Sequence, residues 1–282
     1  MISTTSFDID YEDSPFLRTS KTAAHSNRLN WRCEILLTRN KERIEGQRVL
    51  DLASHDGRFS YACLKLGATH VTGVEVRHHL VEFATRNLIS LACPPQQFDF
   101  LEANVFDYLP SVTPGEFDTI ICFGFFYHTT KQVDLMCEIN RIQPKCFILD
   151  TAIARNVYAF DWQDSRIRYA SIRWMARLLQ RMRIPTSVLR RIAPITVSRL
   201  EEEKRFVPCL VFKSESPLWA STTIDPLGLV AWPTQAFIEL LLRTYGFNFE
   251  QLSWSSKEIS DWTAIDDYRR GARVSYLATR RG

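Results

Sequence analysis

Several features with strong structural meaning are missing from the sequence. No apolar run approaches the ~18–20 residues of a membrane-spanning helix, and the polar start at 1–8 lacks a basic and then apolar signal segment. The seven cysteines include no Cys-x-x-Cys pair. An odd number of scattered thiols, several of them inside apolar runs, argues against a disulfide framework or a metal site and favours a reducing cytoplasm.

The glycine-rich fingerprint of dinucleotide-binding proteins is also absent, which argues against a nicotinamide-dependent dehydrogenase. No internal repeat or low-complexity segment is present. The apolar fraction of 45% and the charged fraction of 24% are ordinary for a globular protein. A chain of 282 residues has room for a full α/β core and an added element.

The chain is organised around a strand, a turn and a helix at 48–66. A short apolar run that contains Asp51 indicates a buried strand, and a turn with one glycine, Gly57, leads into an amphipathic segment. A second apolar run at 70–75 ends in Glu75. This arrangement favours a nucleotide-like ligand at the end of a parallel sheet, with a carboxylate placed to bind ribose hydroxyls.

This stretch resembles the cofactor-binding half of class I S-adenosylmethionine-dependent methyltransferases. In that family an apolar strand is followed by Asp-x-Gly-x-Gly-x-Gly, a helix and an acidic strand end. Asp51 and Gly57 hold their places, whereas Ala53 and His55 replace the first two glycines. The resemblance covers roughly residues 45–153 and implies S-adenosyl-L-methionine as the cofactor.

Strands and helices alternate along the first half of the chain. The predicted strands are 48–53, 70–75, 98–104, 115–124 and 146–152, and the predicted helices are 58–66, 80–91 and 131–142. Alternation of this kind predicts a parallel sheet with right-handed crossovers. A helix at 234–244 and strands at 247–253 and 273–279 fit the antiparallel hairpin that closes the methyltransferase sheet. The predicted fold class is α/β, a doubly wound, mostly parallel seven-stranded sheet (the Rossmann-like methyltransferase fold) with an inserted cap.

Three regions follow from this assignment. Residues 1–44 are expected to form an N-terminal arm, flexible or lid-like, and a lid helix. Residues 45–154 and 231–282 form the cofactor-binding core, and residues 155–230 form an inserted cap. The cap is basic, since 11 Arg and 2 Lys between 155 and 213 outnumber 2 Asp and 3 Glu in a chain of net charge +3.

The predicted cap contains an amphipathic basic helix around 166–183, whose apolar stripe is expected to pack as a lid while its arginines meet solvent. The alternative partners of this helix are an anionic small substrate or carrier, a membrane surface and nucleic acid. Nucleic acid is an alternative because arginines at helical spacing can follow phosphates and aromatic side chains can stack on bases. An extra strand is expected at 206–212, followed by a proline-marked loop region at 217–233. The aromatic wall expected around the acceptor consists of Trp162, Trp174, Trp219 and Trp232.

The resemblance assigns cofactor contacts to residues at the strand ends. Asp51 would face the ammonium end of the methionine moiety, and Glu75 would bind the ribose hydroxyls. Asn104 would read the adenine amino group, with Val105 against the ring, and the residues that end strand four would lie beside the reactive methyl. The alternative is that Asp51 and Asn104 only cap turns. The predicted cofactor-binding residues are Asp51, Ala53, His55, Gly57, Glu75, Val76, Asn104, Val105, Phe123 and Gly124.

Catalytic candidates follow strand four, where acceptor and cofactor would meet. Methyl transfer from a sulfonium needs alignment and exclusion of water, and a base helps only where the acceptor must lose a proton. His128 is the candidate base because imidazole titrates near neutrality, with Tyr127 beside it, and Asp150 is a weaker alternative. The alternative for the pair is that His128 hydrogen-bonds at the start of the next helix and Tyr127 packs. His55 is either a contact of the cofactor carboxylate or a solvated turn residue.

The Tyr-His pair and the stretch 233–247 also resemble the enzymes that complete the wobble-uridine oxyacetate modification of bacterial transfer RNA, and their small-molecule relatives. The RNA enzymes use a carboxylated cofactor. The predicted function is methyl transfer from S-adenosyl-L-methionine to an O, N or C nucleophile of a small organic metabolite, as in secondary metabolism. A transfer-RNA-modifying enzyme and a cofactor-binding protein without transferase activity are the alternatives.

Overall fold

The computed structural model describes residues 7–19, 25–155, 208–215 and 228–281. The strands of this part of the chain are β1 (Arg48–Leu52), β2 (His70–Glu75), β3 (Phe98–Glu102), β4 (Thr119–Phe123), β5 (Cys146–Ala152), β6 (Leu210–Ser214), β7 (Leu229–Pro233), β8 (Phe247–Gln251) and β9 (Arg273–Arg280). The α-helices are α1 (Phe16–Thr19), α2 (Ser26–Leu36), α3 (Arg58–Lys65), α4 (His78–Ser90), α5 (Val105–Tyr108), α6 (Gln132–Ile142), α7 (Gln235–Thr244) and α8 (Asp266–Arg269). Short 3-10 turns lie at Thr38–Arg43, Pro95–Gln97 and Leu109–Ser111.

A seven-stranded sheet has the order β3-β2-β1-β4-β5-β9-β8. Strands β1 to β5 are parallel, while β9 is antiparallel to β5 and β8 is antiparallel to β9. The chain therefore leaves β1 in one direction through β2 and β3, then returns to the other side through β4 and β5. The carboxyl ends of β1 and β4 meet at this reversal, where open α/β sheets bind ligands.

Helices cover both faces of the sheet, because the central strands are apolar on both sides. Leu50 and Leu52 belong to one buried cluster with α5, α6 and α7, whereas Val49 belongs to a second cluster with α2, α3 and α4. The predicted doubly wound α/β fold with a closing antiparallel hairpin is confirmed.

The N-terminal segment 7–19 packs against the core, so the flexible alternative does not hold for these residues. Tyr11 and Phe16 are fully buried. The Tyr11 hydroxyl donates to the Arg58 carbonyl at 2.6 Å, and the Thr19 hydroxyl donates to Asp56 at 2.7 Å. These contacts attach the segment to the turn that follows β1.

The region predicted as a loop at 217–233 contains a strand at its end. Strand β7 pairs with β6 in a separate two-stranded antiparallel sheet, in register from Leu210 opposite Pro233 to Ser214 opposite Leu229. The loop prediction was therefore wrong for Leu229–Pro233, because Pro233 occupies the end of a short strand, where a proline is tolerated. The predicted basic helix at 166–183 and Trp162, Trp174 and Trp219 lie outside the described residues.

All seven cysteines are free thiols. Five of them are buried, and burial raises the pKa of Cys33 to about 12. Over the described ranges, no helix combines the length and the apolar character needed to cross a membrane.

We expect Gly73→Ala to destabilise the protein by about 2–3 kcal/mol, because a Cβ at this position in β2 overpacks the core. That atom would lie 2.5 Å from the Phe100 ring and 2.8 Å from Ser54 Oγ. Urea unfolding would measure the loss. The control is Gly115→Ala, whose added Cβ meets nothing within 4 Å. Only the left-handed backbone (φ +79°) disfavours alanine there, so we expect a destabilisation of about 1 kcal/mol. Equal losses in the two variants would contradict the close approach.

Candidate functional site

A cavity of about 200 Å³ lies at the carboxyl ends of the parallel strands. It collects residues from the β1–α3 turn, the ends of β2 and β4, the start of α5, helix α2 and strand β9. Of the predicted site residues, those that line it are Asp51, Ala53, His55, Glu75, Val76, Asn104, Val105, Phe123, Gly124, Tyr127 and His128. Gly57 is the exception, since it lies behind the turn, where an added Cβ would be 2.9 Å from the Phe100 ring.

The turn after β1 has left-handed backbone at the three positions where the resembled motif has glycine. The φ angles are +57° at Ala53, +56° at His55 and +80° at Gly57. Glycine adopts such angles without steric cost, whereas a residue with a Cβ is disfavoured by roughly 1–2 kcal/mol. The two replacements therefore leave the backbone course of the turn unchanged, and the surrounding contacts hold it there.

Asp51 is a buried carboxylate, and the Ser60 hydroxyl donates to it at 2.7 Å. Burial, with repulsion from the carboxylates of Glu75 and Asp56, raises the pKa of Asp51 to about 7 despite this hydrogen bond. A carboxylate in this state gains most from a cation placed next to it.

Glu75 is ionised and already engaged. Its Oε1 accepts from Arg77 Nε at 2.7 Å, and its Oε2 accepts from Arg77 Nη2 at 3.1 Å and from the His55 backbone N–H at 3.2 Å. Burial opposes ionisation, but the hydrogen bonds and charge of Arg77 outweigh it and lower the pKa of Glu75 below its ordinary value. A ligand hydroxyl at Glu75 must therefore share this carboxylate with Arg77 or displace the guanidinium.

Asn104 lines the cavity and also caps a helix, which is the role that the alternative hypothesis gave it. Its Oδ1 accepts from the Phe106 backbone N–H at 3.0 Å and caps α5. That bond fixes the side-chain amide so that it presents its NH2 donor elsewhere. The prediction that Asn104 reads an adenine amino group stays a prediction: Oδ1 keeps a second lone pair that could accept from an amino group, and the NH2 donor suits a ring nitrogen.

The rings of His128 and Tyr127 are in contact, with centroids 4.0 Å apart and planes tilted by 38°, and Tyr127 and Trp232 form a T-shaped pair with centroids 5.4 Å apart. Burial, and then the positive charges of Arg273 and Arg77, lower the pKa of His128 to about 4. His128 Nδ1 lies 3.2 Å from Glu215 Oε1 but outside hydrogen-bond alignment. His128 is therefore a neutral imidazole at pH 7, and its lowered pKa makes it a weaker base than an ordinary histidine.

The start of α6 is held by other residues than His128. Gln132 Nε2 donates to the carbonyls of Phe126, Thr129 and Ala231. The Thr129 hydroxyl accepts from the Lys131 backbone N–H at 3.0 Å. The alternative role for His128, a hydrogen bond at the start of this helix, is not what the structure shows.

His55 is not the solvated turn residue of the alternative hypothesis, because it lines the cavity with its ring nitrogen Nδ1 3.3 Å from Arg58 Nη2. Its pKa is lowered, chiefly by burial.

Asp150 does not act as a base, which corrects that alternative. It is fully buried and accepts from Arg32, Arg273, Tyr268 and Ser275 at 2.7–3.0 Å. Although burial opposes ionisation, the guanidiniums of Arg273 and Arg32 hold the pKa of Asp150 well below its usual range. No oxygen of this carboxylate is poised to take a proton near neutrality.

The sequence motifs do not point to the arginines of the cavity. Arg58 and Arg77 directly follow Gly57 and Val76 in the sequence, two residues predicted to bind the cofactor, so sequence position alone could have indicated them. The others come from a helix and a strand whose patterns indicate only packing. The cavity arginines are Arg28, Arg32, Arg58, Arg77 and Arg273.

Residues 49–143 match the family model of a methyltransferase domain. No curated protein is significantly similar in sequence to the chain. Its structure is similar to that of the N-terminal domain of EvdMO1, crystallised in the presence of SAH and D-fucose (15% identity, TM-score 0.55, 86% of this chain and 81% of that one). It is also similar to an S-adenosylmethionine-dependent methyltransferase from Mesorhizobium loti (16%, TM-score 0.52, 84% and 93%) and to the PH0226 protein from Pyrococcus horikoshii OT3 (15%, TM-score 0.51, 96% and 98%). At these identities the structural similarity shows a shared fold.

Proposed function

We propose that the chain is a class I S-adenosylmethionine-dependent methyltransferase, whose cavity binds S-adenosyl-L-methionine and which methylates a small organic acceptor. The match of residues 49–143 to the family model of a methyltransferase domain supports this proposal. The observation that carries this proposal is the meeting of two carboxylates, Asp51 and Glu75, at one cavity above the β1–β4 reversal. Asp51 has no cationic partner among the described residues and suits an ammonium group. Glu75 stands at the end of β2, where its carboxylate can accept hydrogen bonds from ribose hydroxyls.

The remaining lining residues fit the other parts of the cofactor. Val105 offers an apolar contact for a purine ring, and Asn104 offers a donor to a ring nitrogen. Phe123 and Gly124 end β4, two strands along from β2. A cofactor held by Asp51 and Glu75 would therefore lie over β3 to β4, leaving the side of β5 and β9 for the acceptor.

The bound cofactor supplies an activated methyl group, so the protein has to align the acceptor and exclude water. Neutral His128 is placed to accept the proton that an O–H or N–H acceptor loses. Tyr127, between the His128 ring and the Arg273 guanidinium, holds the imidazole in position. The proposed acceptor is a small metabolite, of the kind methylated in secondary metabolism, that reaches the cavity from the side of β5 and β9.

Neither alternative function gains support from the described residues. The transfer-RNA hypothesis depends on arginines at 166–183, which lie outside them. The hypothesis of a cofactor-binding protein without transferase activity was prompted by Ala53 and His55, and the left-handed backbone at both positions weakens its premise.

Calorimetric titration of the purified protein with S-adenosyl-L-methionine tests the proposal. We expect micromolar binding and a loss of about 10–100-fold in Glu75→Gln, since a hydrogen bond to a charged group contributes about 1.5–3 kcal/mol. NAD should not bind. The matched control is Glu102→Gln, which removes an exposed carboxylate paired with His78 at the end of β3. Absence of binding by folded protein, or equal affinity in Glu75→Gln and wild type, would overturn the proposed cofactor site.

A further inference from the structure

Two guanidiniums share one carboxylate where β5 and β9 meet. Arg32 Nη2 and Arg273 Nη2 lie 2.7 and 2.9 Å from the same oxygen of Asp150, which also accepts from the Tyr268 hydroxyl at 3.0 Å. The side chains of Arg32, Arg273 and Asp150 are 6%, 8% and 0% exposed. This group, the arginine pair of Arg32 and Arg273, is nine-tenths buried and lines the cavity.

Among the described residues, the arginine pair has a positive charge in excess. The nearest further carboxylate of this part of the chain is Asp267, 3.9 Å from Arg273 Nε, but Arg28 already binds Asp267 through both oxygens at 2.8 and 2.9 Å. Three guanidiniums therefore face two carboxylates here. A buried charge without a full counter-charge is strongly disfavoured, so the group favours a ligand with a single negative charge.

The arginine pair also has N–H donors that lack a hydrogen-bond partner among the described residues. The Nε atoms of Arg32 and Arg273 are buried and have no hydrogen-bond partner among the described residues. A guanidinium has five N–H donors in a planar fork that matches a carboxylate. Each arginine uses one nitrogen on Asp150 and keeps other donors for a ligand.

The pair lies on the acceptor side of the proposed cofactor position, so the inference rests on the proposed function. A Cβ placed on Gly124 would be 3.8 Å from Arg273 Nη2 and 4.0 Å from Arg32 Nη2. Arg273 also lies over the Tyr127 ring, 5.4 Å from its centroid. The pair is thus next to the residues at the end of β4 and to the candidate base.

We propose that the acceptor is a carboxylate-bearing small molecule and that Arg32 and Arg273 bind its carboxylate. The anchored acid places the nucleophile of the acceptor between Gly124 and His128. Asp150 is then a positioning residue, because it holds the two guanidiniums at one point while touching no acceptor atom.

The test uses matched probes on the full chain saturated with S-adenosylhomocysteine. 4-Hydroxybenzoate and 4-hydroxybenzamide have nearly the same shape and differ by one negative charge, and calorimetry would compare their dissociation constants. We expect the acid to bind at least about tenfold more tightly than the amide. In Arg273→Gln and in Arg32→Gln this preference should fall to about onefold, while Arg86→Gln, an exposed arginine on α4, should keep it.

The outcomes separate the inference from the proposed function. Failure of folded wild type to bind S-adenosylhomocysteine overturns the proposed function, whatever the probes do. Equal binding of acid and amide by wild type, or no saturable binding of either, overturns the inference and needs no variant to fold. A loss of S-adenosylhomocysteine affinity in Arg273→Gln with an unchanged acid-to-amide ratio also overturns it, since the pair would then bind the cofactor's own carboxylate.

Discussion

Asp150→Asn will lower the free energy of unfolding by about 3–5 kcal/mol, the cost of removing one partner from a buried ion pair. The amide leaves the guanidiniums of Arg32 and Arg273 next to each other without the Asp150 counter-charge. Their side chains are only 6% and 8% exposed, so water cannot replace it. It also leaves the Tyr268 and Ser275 hydroxyls, which donate to this carboxylate, with a weaker acceptor. Urea unfolding at pH 7 would measure the loss.

The control for this prediction is Asp99→Asn. Asp99 is 67% exposed and pairs with His70 at the edge of the sheet, so a change below about 0.5 kcal/mol is expected. The pKa of Asp150 is far below its usual range, so its contribution is present above the unfolded-state pKa near 3.9 and is lost only as the pH falls below that value. A loss of 1 kcal/mol or less in Asp150→Asn would mean that the arginine pair is neutralised by another group.

Asp51→Asn will have opposite effects on stability and on cofactor affinity. The folded-state pKa of about 7 exceeds the unfolded value of 3.8, so the folded state holds the proton more tightly. Stability conferred by Asp51 is therefore fully present below the unfolded pKa and is lost as the pH rises through about 7. At pH 8 the asparagine variant avoids this loss, and we expect it to be more stable than wild type by about 4 kcal/mol, since each pKa unit corresponds to about 1.4 kcal/mol.

The same carboxylate should make cofactor binding depend on pH. Ionised Asp51 attracts the ammonium group of S-adenosyl-L-methionine, so affinity should rise by up to about tenfold between pH 6 and pH 8, with about fivefold of the rise below pH 7. Asp51→Asn should bind weakly, with no such rise. Calorimetry at pH 6, 7 and 8 would show it, with Asp99→Asn keeping the wild-type profile. A stable wild type whose affinity is constant over this range would exclude Asp51 as the ammonium contact.

Some residues at the edge of the cavity could be predicted from the sequence, because hydrophobic pattern and the spacing between strands are enough to place them. Asp51 and Glu75 end neighbouring parallel strands, so their carboxylates had to meet at one edge of the sheet. Strand β7 was missed because spaced prolines indicated a loop, although residues 229–232 form an apolar run and Pro233 only ends the strand. The capping hydrogen bond of Asn104 could not be predicted either, because an asparagine at this position can cap a helix or bind a ligand.

The turn after β1 shows that the backbone conformation of a motif cannot always be predicted from its glycine pattern. Ala53 and His55 depart from the pattern, and sequence alone suggests an altered turn there. The structure keeps left-handed backbone at both, because backbone conformation depends on the contacts of the whole turn, including the bond from His55 N–H to Glu75. Intrinsic preference is overridden when the surroundings fix the backbone.

The sequence by itself determined the doubly wound sheet and the carboxylates at its edge, since hydrophobic periodicity and the distance between strand ends are local properties. Only the tertiary structure decided the charge of the cavity where β5 and β9 meet. Arg32 and Arg273 lie 118 and 123 residues from Asp150, and nothing in their local patterns indicates a contact. They meet because α2 packs against the sheet and β9 inserts between β5 and β8, and burial then converts three ordinary charged residues into one strongly coupled group.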